Sequence, residues 1–167
     1  VCSSDLDNKG YIAQSDETGW NQLYLYNMDG TLDHAITNGK YTITSIKFID
    51  EKAKTIYFTA RGIENTARVD FYSIGMDGKN LKRLTVGPYH NAQIHLAPDN
   101  KHFVAVYSNA QTPTSIAVID ISKKGTPTLD VLGSAEAADF KVEQVAKTEL
   151  IRIKSEDGLF ELPALVT

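Results

Sequence analysis

The sequence predicts an all-β protein, a partial β-propeller of two to three four-stranded antiparallel blades. Three observations carry that prediction. Asn21 to Thr37 (NQLYLYNMDGTLDHAIT) holds an alternating Tyr/Leu strand, a tight Met28-Asp29-Gly30 turn and a returning strand. Val69 to Thr85 (VDFYSIGMDGKNLKRLT) repeats the strand, the Met76-Asp77-Gly78 turn and the aliphatic-Thr ending (Ile36-Thr37, then Leu84-Thr85) 48 residues later, and a hairpin recurring at a period in the forties or fifties marks a propeller or β-array. Sustained 3.6-residue periodicity is absent. The one helical candidate is Ser134 to Asp139, where Ser134 is placed to cap a single turn through Glu136.

Taken in order, Gly10 to Gln14 reads as a short strand and Ser15 to Gly19 as a polar turn leading to Trp20. Leu23 to Met28 and Leu32 to Thr37 form the first hairpin, with glycine supplying the φ > 0 position of its turn. After the Asn38-Gly39 turn, Thr42 to Ile49 and Thr55 to Ala60 are β-branched and aromatic strands joined by a charged turn. Arg61 to Arg68 is a polar connection to the second hairpin. The third unit has strands at Ala92 to Leu96, His102 to Ser108, Ser115 to Ile121 and Thr128 to Leu132, with a Pro98-Asp99 turn, a loop at Asn109 to Thr114 and Lys123 to Thr126 replacing the Met-Asp-Gly turn. Ile46 aligns with Ile94 and Phe48 with Leu96, again 48 apart. Four short antiparallel strands per repeat is a propeller blade rather than a helix-bearing solenoid unit. From Glu143 the pattern breaks: Thr148 to Lys154 and Leu159 to Val166 flank a Ser-Glu-Asp-Gly turn and read as the first hairpin of a second domain.

Composition narrows the function. At 167 residues, 42% hydrophobic and 23% charged, the chain can build a core and is not of disordered composition. A net charge of −4 argues against a nucleic-acid partner, and no apolar run reaches the roughly 18–20 residues of a membrane span. The single cysteine, Cys2, excludes an internal disulfide or a cysteine-based zinc site. Residues 1–6 (VCSSDL) read as the translated end of a sequencing adapter rather than as native sequence, so the chain is expected to be a piece of something longer. That leaves propeller blades at 7–146 and the start of a truncated further domain at 147–167.

Glu17-Thr18-Gly19-Trp20-Asn21-Gln22-Leu23-Tyr24-Leu25-Tyr26, Met28-Asp29-Gly30, Gly39-Lys40-Tyr41, Thr55 to Ala60, His90-Asn91 and Leu96-Ala97-Pro98-Asp99 resemble the propeller of the dipeptidyl peptidase IV branch of the prolyl oligopeptidase (S9) serine peptidases. Ile151 to Lys154, Asp157-Gly158 and Leu162-Pro163-Ala164 resemble the start of that family's α/β-hydrolase domain. The resemblance covers roughly residues 10 to 167 and implies a noncatalytic propeller segment that gates access of peptides to a catalytic domain. It also implies a peptide substrate and a homodimer for the full-length protein, no cofactor, and a periplasmic or secreted location. The family's catalytic Ser, Asp and His lie downstream of Thr167, and its paired acidic residues that hold the substrate amine lie upstream of residue 7. The resemblance therefore assigns no catalytic, substrate-binding or metal residue here. The alternative is a TolB-like or WD-type binding propeller without enzymatic activity.

Each constellation has a plainer structural explanation. No serine has the Gly-x-Ser-x-Gly spacing of a hydrolase elbow, and Ser108 and Ser115 read as blade serines. His34, His90, His95 and His102 lie on different strands and turns, without metal-ligand spacing. Asp29 and Asp77 occupy equivalent turn corners, which signals structure. Tyr24, Tyr26, Tyr57, Phe58, Phe71 and Tyr72 read as packing between blades, and Trp20 as a core-edge residue or a ligand contact. The sheet faces left open at the two ends of the stack are expected to present side chains such as Ile43, Phe48, Ile94, Val104 and Val106.

Overall fold

The computed structural model describes residues 10–122 and 126–167. The assignment of residues 1–6, Cys2 included, falls outside them, as does most of the Lys123 to Thr126 turn. Thirteen strands fill four antiparallel sheets among the described residues. Strands β1 (Gly10–Ser15), β2 (Gln22–Asn27) and β3 (Leu32–Ala35) form the first sheet; β4 (Thr42–Asp50), β5 (Thr55–Arg61), β6 (Val69–Gly75) and β7 (Lys82–Arg83) form the second. The third is β8 (His90–Leu96), β9 (His102–Asn109), β10 (Thr112–Asp120) and β11 (Thr128–Ser134), and β12 (Glu149–Lys154) pairs with β13 (Glu161–Val166) in a separate hairpin. The second and third sheets are complete up-and-down blades.

Alternation along each strand sends successive side chains to opposite faces, and the faces meet in pairs. Ile12, Leu23 and Ile36 of the first sheet pack on Ile56, Phe58, Ala60, Tyr72 and Ile74 of the second. From the other face of the second sheet, Phe71 and Leu84 pack on Ile94, Phe103, Ala105 and Ile119 of the third, with Phe71 and Phe103 edge to face at 4.7 Å. The result is three sheets stacked face to face, a partial propeller.

The 48-residue repeat holds atom by atom. The Ile36 amide bonds the Leu23 carbonyl at 2.8 Å, and the Leu84 amide bonds the Phe71 carbonyl at 2.7 Å. Thr37 Oγ1 accepts from the Leu23 amide and Thr85 Oγ1 from the Phe71 amide. Gly30 and Gly78 both take positive φ, 86° and 76°, closing turns on Asn27 and Gly75. The bulge between Ile43 and Ser45 recurs between Asn91 and Gln93, which explains why the strand alternation slips by one residue near Ile46 and Ile94.

Three expectations are corrected. Ser134 starts no helix: its Oγ accepts from the Glu136 amide at 3.1 Å in a local turn, and the single helical turn is a short 3-10 segment at Val142–Gln144. The Asn109 to Thr114 loop shrinks to a tight turn because β10 begins at Thr112, with Pro113 inside a bulge where its missing N–H is not needed by the ladder. Ile43 and Ile94 lie inside the two inter-sheet cores rather than on an open face; their face parity is set by the bulges.

Candidate functional site

One cavity lies beside the joint of the first two sheets. Beside the Met76-Asp77 turn is an open groove of about 850 Å³, its walls including His34, Lys54, Tyr57, Ile74, Met76 and Lys82. The wall mixes apolar side chains such as Ile74 and Met76 with polar ones such as His34, Lys54 and Lys82. Lys54 sits at the Thr55 end of the β4–β5 turn with φ of 51°, and its carbonyl accepts from the Met76 amide at 2.9 Å. Ser73 and His34 both line the groove, but the two ring nitrogens of His34 are taken by Asp33 and the Met76 carbonyl, and Asp77 is the one carboxylate among the described lining residues.

Each singled-out side chain has a structural occupation. Asp29 Oδ1 accepts from the Thr31 amide and hydroxyl at 2.9 and 2.6 Å, and Asp77 Oδ1 accepts from the Lys79 amide at 3.0 Å. The hydrogen bonds from Thr31 hold the Asp29 carboxyl below the usual range. Asp157 closes a later turn through the Leu159 amide, and Asp99 closes one through the amides of Lys101 and His102, which push Asp99 down to about 2 together with the His102 ring. The backbone bond from Lys101 is the largest cause. Ser115 Oγ donates to the Pro113 carbonyl at 2.9 Å and lies 3.1 Å from the Ser134 hydroxyl, from which it can accept.

The histidines separate. His34 bridges the first two sheets: Nε2 lies 2.8 Å from the Met76 carbonyl and Nδ1 2.7 Å from Asp33 Oδ2. His90 Nδ1 accepts from the Val69 amide at 3.2 Å across the next joint. His102 lies 2.7 Å from Asp99. Among the described residues no group of three or more His, Cys, Asp or Glu could hold a metal ion, and no helix is long and apolar enough to cross a membrane.

Tyr57 packs on Phe48 and Phe71, and Phe58 stacks on Tyr72 at 5.7 Å, all at or inside the joints. Tyr11, Tyr24 and Tyr26 instead lie on the outer face of the first sheet, with Tyr11 and Tyr26 stacked at 5.4 Å. Trp20 is 40% exposed, so it is no core residue.

Sequence reasoning missed one set. Gln22, Asp70 and Ser115 lie in the first halves of β2, β6 and β10, the corresponding strands of the three sheets, and all are buried. Asp70 Oδ1 receives Arg83 Nε and Nη2 at 3.1 and 2.8 Å and Thr85 Oγ1 at 2.7 Å; Oδ2 receives Arg68 Nε at 3.0 Å. Gln22 Nε2 donates to the Tyr41 and Gly39 carbonyls. The signal was present as a polar residue immediately before the apolar alternation of each strand.

A stack of one three-stranded and two four-stranded antiparallel sheets, with turn chemistry repeated between them, defines a β-propeller segment. The family described as the dipeptidyl peptidase IV N-terminal region matches residues 1–114, and the chain belongs to that family. Dipeptidyl peptidase 4 of Arthroderma otae is 42% identical over 74 residues, 44% of this chain and 9% of the relative's length. The corresponding protein of Trichophyton rubrum is 39% identical over the same extent. The crystal structure of Porphyromonas gingivalis dipeptidyl peptidase 4 superposes with a TM-score of 0.72 at 24% identity, covering 93% of this chain and 22% of that one. The matches thus span about a tenth of the length of the curated relatives and under a quarter of that structure.

Proposed function

We propose that the chain is a noncatalytic part of the propeller of a serine exopeptidase of the dipeptidyl peptidase type, and that its blades wall the approach of peptides to a catalytic domain. The observation that carries the reading is the order of units: two complete blades, then a hairpin, β12–β13, that belongs to neither inter-sheet core. In this reading residues 7–146 are propeller and 147–167 the first hairpin of an α/β-hydrolase domain. A wall of this kind contributes selectivity by size and shape rather than by bond chemistry, since rigid stacked sheets admit extended or short peptides and turn away folded ones. A periplasmic or secreted location and a homodimeric full-length enzyme follow from the same family reading.

Reading the gene beyond codon 167 tests the proposal. A Gly-x-Ser-x-Gly elbow within the next couple of hundred codons is expected, and a further Asp-Gly blade hairpin in its place would favour a binding propeller. Assay of the 167-residue chain on a chromogenic Xaa-Pro dipeptide should show no turnover.

A further inference from the structure

We infer that the two joints between stacked sheets are held by histidines with opposite proton requirements, His34 bonding fully only as the cation and His90 only as the neutral ring. The argument is one of donors and acceptors. Both partners of His34, the Met76 carbonyl and the Asp33 carboxylate, can only accept. A neutral imidazole carries one N–H and satisfies one of them; the imidazolium carries two and satisfies both. Because Met76 closes the second sheet's hairpin and His34 lies on β3 of the first, the bond lost on deprotonation crosses the joint or loosens the ring that spans it.

His90 is the reverse case. The Val69 amide can only donate, so Nδ1 must keep its lone pair and the ring its Nε2–H tautomer. Protonation of Nδ1 sets two donors face to face and breaks the contact between β6 and β8. Each joint also carries a bond that no proton affects: the Ile43 amide to the Asn21 carbonyl at 2.9 Å, and Asn91 Nδ2 to the Val69 carbonyl at 3.0 Å. These occupy equivalent repeat positions, so the histidines are additions to a common joint.

The surroundings agree with the assignment. His34 faces Asp33 on its own strand and Asp77 on the adjoining turn, with Lys54 and Lys82 on the groove wall. The bond to Met76 and then that to Asp33 hold its pKa above the ordinary 6.5. His90 faces Arg61 from β5 and Asp70 from β6; burial, then Arg61, holds it below 6.5. For the raised group, the stabilisation is complete below about pH 6.5 and is lost as pH rises through the folded value. For the lowered group, it is complete above about 6.5 and is lost as pH falls through the folded value. Both joints are therefore tight together only around pH 6.5, and acid and alkali loosen different ones.

The test is hydrogen–deuterium exchange at the imidazole C2 position of the 167-residue chain, read peptide by peptide by mass spectrometry, which works on monomer and oligomer alike. Relative to the same peptides in the urea-unfolded chain, the midpoint of His34 should move up and that of His90 down. No movement, or movement the other way at either ring, overturns the inference. Thermal melts across pH then separate the joints: His34→Gln should flatten the alkaline decline only, and His90→Gln, whose amide oxygen still accepts, the acid decline only. Melts in which a folded variant keeps the limb assigned to its histidine overturn the inference as well; should a variant not fold, the exchange midpoints of the unaltered chain decide.

Discussion

Asp70 is the side chain on which the second blade's polar interior depends. It is 1% exposed and neutralises two guanidinium groups whose side chains are 16% and 24% exposed. Replacing it by alanine strands both arginines and the Thr85 hydroxyl, so Asp70→Ala should cost about 3 kcal/mol, the low end for an orphaned buried charge. Urea melts of the two proteins give the difference directly, and a loss under about 1 kcal/mol would mean that water replaces the carboxylate. The glycines of the two repeated turns supply a graded comparison. A Cβ on Gly30 meets nothing within 4 Å, whereas one on Gly78 lies 2.9 Å from the Ile36 carbonyl of the neighbouring sheet. Both positions carry the strain of a β-branched residue at positive φ, roughly 1–3 kcal/mol, and Gly78→Val adds a clash across the joint. Gly78→Val should therefore melt in less urea than Gly30→Val, and Gly30→Val in less than the parent; equal midpoints for all three would show that neither turn needs its glycine.

At the scale of the strand and the blade, the threonines that end each repeat act as latches. Thr37 Oγ1 is 2.8 Å from the Leu23 amide and Thr85 Oγ1 3.4 Å from that of Phe71, both inside the protein. Thr37→Val keeps the shape and removes the acceptor, leaving a buried N–H that costs about 1–3 kcal/mol. The longer contact at Thr85 should matter less for Phe71 and more for Asp70, so Asp70→Ala and Thr85→Val should be non-additive in a double-mutant cycle. Elements of this kind differ in how far the sequence announces them. The Met-Asp-Gly turns, the Tyr/Leu alternation and the spacing of 48 were legible because each rests on local backbone chemistry. The returning strand of the second hairpin was read as well, but its shortness as β7, only Lys82 and Arg83, and the extension of β10 through Pro113 were not, since both depend on a neighbouring strand. The buried polar series Gln22, Asp70 and Ser115 was hidden for a related reason: a polar residue near the start of a strand reads as the end of a turn unless the fold is seen to bury it. Of the groove, only the turns around it could be read, because its walls come from residues far apart in the chain.

For the whole molecule the decisive quantity is apolar surface left at the ends of the stack. Register puts Val104, Val106, Ile116 and Val118 on the face of the third sheet away from the second, and Ile116 is 39% exposed. The β12–β13 hairpin adds one face of Ile151, Ile153, Leu162, Ala164 and Val166, of which Ile153, Leu162 and Val166 are about half exposed. A blade cannot bury both of its faces alone; stability is roughly a sum of blade and interface terms, and terminal units need a polar outer face to stay soluble. Neither terminal surface here is polar, and contiguous apolar patches of this kind drive association. The two-stranded hairpin also presents edges able to pair with another chain. Residues 7–167 expressed alone should therefore run as oligomers or aggregates in size-exclusion chromatography with light scattering. Val104→Lys together with Ile116→Glu should shift the distribution towards monomer, because both sit on the open face and their changes leave the two inter-sheet cores intact. A monodisperse monomer from the unaltered segment, with a single cooperative melt, would show that these faces are covered from within the chain and would contradict the open-stack reading.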